Sequence, residues 1–246
     1  MDLWPAQDFF VTSIAFVGQV EVVDHVMLDF GLPFAFGSYD TGPRTSEGSA
    51  TLGNPWVGAH YGANVTRGVA LWGGGTITFP TIIRPGLIRG IIAGLAAADR
   101  AGFDVDRFAI EDLTIRPRGG IEVRAADIFY YRGFLGLPLY IPTSRRAGDT
   151  QFLIEQGNDF ELRALMGLGG GIRLQFVAIA TDTFVYGRNP RDRFQAAIEP
   201  YFVYEPVDRS GFFVRAGALI ALDEPLGPGF DQDKLATFTA SLGGKF

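Results

Sequence analysis

The sequence predicts an all-β fold, a transmembrane antiparallel up-and-down β-barrel that forms one domain over residues 1–246. Segment after segment of about 10–14 residues alternates between apolar and polar positions, as strands between two environments do. Tight turns alternate with longer polar loops, which is typical of outer-membrane barrels. The chain contains 33 Gly and 22 Phe, and these residues suit packed strands and interfacial girdles better than helices.

Eleven segments carry the alternation. They are residues 9–23, 26–37, 50–61, 68–80, 113–125, 129–141, 151–167, 172–181, 194–205, 212–222 and 235–246. In the first, Phe10, Phe16 and Val20 share one face, and Gln19 and Glu21 share the other. Bacterial single-chain barrels have an even number of strands, so we expect about twelve strands, with ten as the alternative.

The connections fall into two length classes. We expect tight turns near residues 24, 63, 126, 169 and 208, and longer loops at 38–48, 81–112, 143–150, 184–192 and 223–234. Short turns at one rim and long loops at the other indicate a barrel with an extracellular and a periplasmic end. A soluble sandwich has no reason to sort its loops by length.

The longest loop, residues 81–112, contains a predicted helix at about 85–101. Pro85 suits the first helical turn and Gly102 suits the exit. Small residues recur every four positions and predict a face that another backbone approaches closely, as a lid on the barrel mouth or a contact with a partner helix. This stripe is Gly86, Gly90, Gly94 and Ala98. The alternative is a flexible extracellular loop.

Charged residues on the polar faces predict a charged lumen, because charges facing lipid are costly. The predicted lumen residues are Arg116, Arg118, Glu122, Arg124, Arg132, Glu161, Arg163, Arg173, Glu199 and Arg215. One hypothesis is a constriction that selects solutes, with a basic wall near Arg116 and Arg118. The other is a network of paired side chains that fills a narrow lumen and holds the barrel rigid. Barrels of about ten to twelve strands lie between the filled and the open cases.

Three further residues are candidate ligand contacts. Trp56, His60 and Trp72 fall on the predicted lumen side of their segments. No serine can be placed beside His60, so the sequence does not favour a serine hydrolase, and we predict no enzymatic activity and no cofactor. We also predict no metal site.

Composition narrows the partners. The net charge of −6 and the absence of Lys/Arg blocks argue against nucleic-acid binding. The sequence contains no run of 18 apolar residues, so it does not predict a membrane-spanning helix. The chain has no Cys, so disulfides and thiolate chemistry are excluded. The expected partners are membrane lipid, lipopolysaccharide, the barrel-assembly machinery and a small apolar or charged solute.

The final segment, LATFTASLGGKF, ends on an aromatic residue with apolar residues at alternate positions before it. This pattern resembles the C-terminal signal by which barrels are recognised for assembly in the outer membrane. The residues that carry it are Phe238, Ala240, Leu242, Gly244 and Phe246.

Residues 10–82 resemble the porin-like family associated with the meta-pathway of phenol degradation. The resemblance lies in VVDHVMLDFGLPF, GSATLGNPWVGAHYG and ALWGGGTITFPT. The chain departs from the family at Asn54, where an acid is common, at His60, where a lysine is common, and in lacking a Tyr-Gly before its turn. The resemblance implies an outer-membrane protein that passes small, often apolar compounds, and it implies no catalytic residues.

Together these features predict a channel or transport barrel in the outer membrane of a Gram-negative bacterium, through which small solutes diffuse passively. A non-conducting structural or partner-binding barrel with a salt-bridged, closed lumen is the alternative. A soluble lipid-binding β protein is a third hypothesis.

Overall fold

The architecture comes from a computed structural model of the chain. It describes residues 9–42, 45–98, 103–126, 128–144, 149–164, 167–181, 193–206, 212–222 and 236–244.

The predicted all-β fold is confirmed: one antiparallel sheet contains thirteen strands. The strands are β1 (Phe9–Val23), β2 (Val26–Gly42), β3 (Thr45–Leu52), β4 (Trp56–Thr66), β5 (Val69–Thr78), β6 (Asp112–Ala125), β7 (Phe129–Gly136), β8 (Leu139–Pro142), β9 (Gln151–Arg163), β10 (Leu168–Ile179), β11 (Phe194–Tyr204), β12 (Phe213–Ala221) and β13 (Ala236–Gly243). The described residues also contain one α-helix, α1 (Leu87–Ala98), and one short 3-10 helix (Val105–Arg107).

The thirteen strands occupy eleven positions along the sheet. β3 and β4 lie end to end along β2, and β8 and β7 lie end to end between β6 and β9. Residues 53–55 interrupt the first pair and residues 137–138 the second, and each interruption contains a proline, which cannot donate to a strand ladder. The eleven segments counted in the sequence match these eleven positions, and two of them are broken, so the described chain has thirteen strands. The totals of twelve and ten, which came from the even-number rule, do not match it.

Two turns lie elsewhere than predicted. The β4–β5 turn is at Arg67-Gly68 rather than near residue 63, and Gly68 adopts a left-handed φ of 84°. The glycines 169–171 do not form a turn; they lie in β10, after Gly167 at a φ of 81°. A side chain at Gly171 would collide with the Tyr201 ring, which explains this glycine by packing.

The predicted long loop at 38–48 is also wrong in the described residues. There β2 and β3 continue as a paired hairpin, with Ser38 opposite Gly48 and Gly42 opposite Thr45. The polar residues that predicted a loop instead lie in the paired strands β2 and β3, beyond the part of β2 that pairs with β4.

The two faces of the sheet have opposite polarity. Large apolar side chains on one face are exposed; they include Phe10, Phe16, Phe30, Phe36, Ile77, Leu135, Phe160, Leu162, Ile172, Phe202, Phe238 and Leu242. The other face carries the charged side chains and surrounds a cavity of about 570 Å³, lined both by β1–β2 and by β9–β10. Because residues from distant positions line one cavity, the sheet curls, and we call its charged side the concave face.

The connection between β5 and β6 folds onto the concave face. We call its described parts, residues 79–98 and 103–111, the inner loop. The predicted helix is present, but it begins at Leu87 rather than at residue 85, and residues 99–101 lie outside the described chain. Ile92, Ala93 and Ala96 of α1 are fully buried. They join one apolar core with Ala35 of β2, Tyr140 of β8, Leu153 of β9, and Val177 and Ile179 of β10.

Candidate functional site

The ten residues predicted to line a lumen all lie on the concave face. Register and contacts place Arg116, Arg118, Glu122 and Arg124 on β6 and Arg132 on β7. The others are Glu161 and Arg163 on β9, Arg173 on β10, Glu199 on β11 and Arg215 on β12. The structure divides them among three clusters, described in turn below, and an exposed rim.

The first cluster anchors the inner loop to the sheet. The guanidinium of Arg116 donates to Asp104 at 2.8 Å and to Asp106, both in the inner loop, and its Nε lies 3.4 Å from Oε2 of Glu155 on β9. Thr78 also donates to Asp106, at 2.5 Å. Arg116, Asp106 and Glu155 are buried, at 6%, 2% and 2% exposure. This cluster, the Arg116 anchor, therefore links two strands and the inner loop by buried charges.

Asn54 forms a second attachment of the inner loop. Its side-chain amide donates to the carbonyl oxygens of Asp106 at 2.8 Å and Ala109 at 2.7 Å. Its side-chain oxygen accepts from the backbone N–H of Thr81 at 2.8 Å. One fully buried side chain therefore fixes both the start and the end of the inner loop. In the sequence, Asn54 is notable only as a departure from a family position where an acid is common.

We predict that Asn54→Ala loosens the inner loop. Buried backbone groups that lose a partner cost about 1–3 kcal/mol, so we expect a comparable loss of unfolding free energy. Amide hydrogen exchange of residues 103–111 should become faster. The control is Asn64→Ala, because Asn64 is an exposed asparagine of β4. Equal exchange rates in both variants would contradict this role.

The second cluster centres on Asp29 of β2. Its carboxylate accepts from Gln19 at 2.8 Å, lies 2.8 Å from Nδ1 of His60, and accepts from Arg118 at 3.3 Å. Trp72 packs edge-on to His60, with ring centroids 6.2 Å apart. The Arg118 guanidinium lies 5.8 Å from the centre of the Trp72 ring. Two of the three candidate ligand contacts, His60 and Trp72, are thus neighbours here and line the cavity.

The third candidate contact lies apart from these two. Trp56 is buried at 9% exposure, and Arg107 of the inner loop lies 5.7 Å from its ring centre. It does not line the cavity and instead packs below the inner loop.

The third cluster runs along β9 to β13. Asp159 accepts from Tyr201 at 2.5 Å, from Arg173 at 2.9 Å and from Arg215 at 3.3 Å. Glu199 accepts from Arg173 at 3.1 Å and from Thr239 at 2.7 Å. Because each carboxylate accepts hydrogen bonds from side chains on different strands, this cluster cross-links the strands β9 to β13.

The remaining predicted lumen residues lie nearer the short-turn rim. Arg132 donates to Glu122 at 2.8 Å, and Arg132 is 58% exposed. Arg163 donates to Glu161 at 2.6 Å and lies 4.3 Å from the Tyr130 ring centre. Arg124 also stacks on Tyr130, at 5.5 Å. The exposed pair Arg132–Glu122 is screened by solvent and contributes little to stability.

The glycine stripe is not where the helix makes its closest contacts. A side chain at Gly86 would meet nothing within 4 Å, and one at Gly90 would meet only Pro85 of the same segment. Gly94 is buried, and α1 ends at Ala98. The buried face consists mainly of isoleucine and alanine, and no backbone of the described residues closely approaches Gly86 or Gly90.

The described residues of the predicted assembly signal lie on or beside β13. Phe238 and Leu242 are 90% and 74% exposed on the apolar face, and Ala240 shares that face. Gly244 follows the strand, and Phe246 lies outside the described residues.

Several site residues were absent from the predicted set. Glu155 and Asp159 have the same strand parity as Glu161, so alternation along β9 could have identified them. Asp104 and Asp106 lie in an irregular segment, where no periodic pattern points to the concave face. They were found only from the fold.

No protein-family model matches the sequence, and no curated protein matches it as a relative. The resemblance to the meta-pathway porin-like family therefore stays a sequence-based hypothesis. None of the described helices is long and apolar enough to span a membrane. Chemically, the concave face offers a polar cavity with paired charges, closed on one side by an anchored loop.

Proposed function

We propose that the chain is an outer-membrane β-barrel through which small solutes diffuse passively. The observation that carries this proposal is the inverted polarity of the sheet, with exposed phenylalanines and leucines outside and ion pairs inside. Soluble monomers rarely expose large contiguous apolar patches. A bilayer covers such a surface without cost, whereas it penalises charges on the same face.

The lipid environment of the proposed barrel also requires the sheet to close. Hydrocarbon cannot satisfy the backbone groups of an open strand edge, so a spanning sheet has to close. The eleven positions alternate in direction, so β1 and β13 run the same way. Direct contact of these edges would therefore form a parallel pair. In the proposed membrane orientation, the tight turns lie on the periplasmic side and the inner loop enters from the extracellular side.

The inner loop narrows the passage in the proposed channel. Its apolar side chains pack against residues of β2, β8, β9 and β10, so it occupies much of the lumen at the long-loop end. The cavity borders Phe103, Asp104 and Arg107 of the inner loop and extends to His25 at the β1–β2 turn. Solutes would enter this cavity and pass the inner loop at its least packed side.

We expect deletion of α1 to widen the passage. In a variant that replaces residues 87–98 with a short Gly-Ser linker, the Arg116 anchor and Asn54 remain. Single-channel conductance in planar bilayers should rise several-fold over that of the parent chain. A matched control inserts the same linker at Arg67-Gly68, the β4–β5 turn at the end of β5 opposite to the inner loop. Unchanged conductance after deletion would contradict a narrowing role for α1.

A non-conducting barrel is the second candidate function, and the packing of the inner loop favours it. Ile92, Ala93, Ala96 and Val105 are all fully buried, which is unusual for a loop that would yield to a passing solute. In this case the protein would be structural or would bind a partner at the long-loop end. A correctly inserted protein that is silent in bilayers, both with and without α1, would favour this second function.

A further inference from the structure

The cavity on the concave face has the dimensions of a small-molecule site. Its volume of about 570 Å³ lies within the range of about 300–1,000 Å³ that ligand pockets occupy. Its ceiling is formed by Phe103, Asp104 and Arg107 of the inner loop, and its wall includes Trp72, Arg118 and Phe134. Aromatic and charged groups therefore face the same space.

The formal charges around the cavity nearly balance, but their accessibility does not. In each of four lining ion pairs the guanidinium side chain is more exposed than its carboxylate partner. The exposures are 58% and 31% for Arg132–Glu122, 31% and 8% for Arg118–Asp29, 23% and 14% for Arg173–Asp159, and 21% and 18% for Arg107–Asp104. The fifth lining arginine, Arg116, is buried in its anchor. In that anchor the order is reversed, since Asp104 is 18% exposed and Arg116 8%. Outside the anchor, a molecule in the cavity reaches the lining guanidinium groups more readily than their carboxylate partners.

Hydrogen bonding reinforces this asymmetry. Asp29 accepts from two side chains besides Arg118, and Asp159 accepts from three. Arg118 uses one N–H group, at 3.3 Å, for a single carboxylate, while a guanidinium offers five donors. Asp29 and Asp159 are thus largely satisfied by the protein, whereas the buried Oε1 of Glu155 has no hydrogen-bond partner in the described part of the chain. Arg118 and Arg132 keep donors for another anion.

We propose that this cavity binds small organic carboxylates. A guanidinium recognises a carboxylate through two parallel hydrogen bonds, and Arg118 is the candidate for this contact. The apolar body of the ligand would then lie against Trp72 and Phe134, which line the same space. Arg132, nearer the short-turn rim, adds attraction for an entering anion. This inference rests on the proposed function only in that the lumen gives solutes access to the cavity.

Equilibrium binding to the detergent-solubilised full chain tests the site without requiring conduction. Isothermal titration with benzoate should show saturable binding, whereas benzyl alcohol, the neutral analogue, should bind at least about tenfold more weakly because it lacks the charge-assisted bonds. Arg118→Gln should weaken benzoate binding about tenfold, and Arg132→Gln should do so by a smaller factor. Arg124→Gln is the control, because it removes the same charge from the same strand face but does not line the cavity.

Reversal potentials in planar bilayers provide a second test of the site, because they measure the ion selectivity of the channel. The parent protein should prefer anions, and Arg118→Gln should reduce that preference more than Arg124→Gln does. Benzoate binding by a protein that does not conduct would support the site and reject the channel. Conduction without anion preference or benzoate binding would reject the site and keep the channel. Chloride selectivity without benzoate binding would overturn the assignment to organic carboxylates.

Discussion

We expect Phe16→Lys to lower the unfolding free energy of the vesicle-inserted protein by about 2–4 kcal/mol, the cost of a lysine in the hydrocarbon midplane. Phe16 lies at the centre of β1 on the apolar face and is 66% exposed. Urea unfolding in lipid vesicles, followed by tryptophan fluorescence, measures the change.

The neighbouring residue supplies the control. Val17 is also exposed, at 63%, but strand alternation places it on the concave face with Gln19. Val17→Lys should change the unfolding free energy by less than about 0.5 kcal/mol, as for an ordinary exposed site. Equal effects of the two substitutions would contradict different environments on the two faces of β1.

Arg116→Leu should produce the largest change at the inner loop. It removes one partner of buried ion pairs and leaves Asp104, Asp106 and Glu155 without their shared cation. Breaking a buried pair in this way costs about 3–5 kcal/mol. We expect the inner loop to detach, with faster tryptic cleavage after Arg84, Arg89 or Arg107 and a larger single-channel conductance.

Two further variants make this prediction specific. Arg116→Lys keeps the charge but loses the planar fork that reaches both aspartates, so its effect should be intermediate. Arg124→Leu removes an exposed arginine of the same strand and should leave cleavage and conductance unchanged. An Arg116→Leu protein that resists trypsin as the parent does would contradict the anchor.

Alternation predicted the sheet and its faces because a strand between two environments must repeat every two residues. The same rule predicts that His60, Trp72 and Arg118 lie on one face. Their convergence on Asp29 could not be predicted, since it depends on how strongly β2, β4, β5 and β6 curl.

The inner loop shows where sequence patterns stop being informative. Its helix was predicted from Pro85 at the start and Gly102 at the exit, but its buried face was not. A glycine stripe pointed to one side, whereas Ile92 and Ala96 pack on another. Asp104 and Asp106 have no periodic context, so only the fold brings them to Arg116.

The interruptions of the strands explain the remaining difference in strand number. Residues 53–55 contain Asn54, whose side chain holds the inner loop, so the break in the β3–β4 line serves an attachment. A count based on alternation treats this stretch as continuous, because the residues on either side keep their polarity pattern.

The central claim is that the apolar face of the sheet contacts lipid while the concave face contacts water. A single-cysteine scan of residues 14–20 tests it directly, because the chain has no native cysteine and most positions of this stretch are exposed on both faces. Each variant, labelled with an environment-sensitive fluorophore, is inserted in vesicles containing brominated lipid. Labels at Ile14, Phe16 and Val20 should be quenched, and those at Ala15, Val17 and Gln19 should not. Quenching that ignores this alternation, or none at any position, would contradict the account.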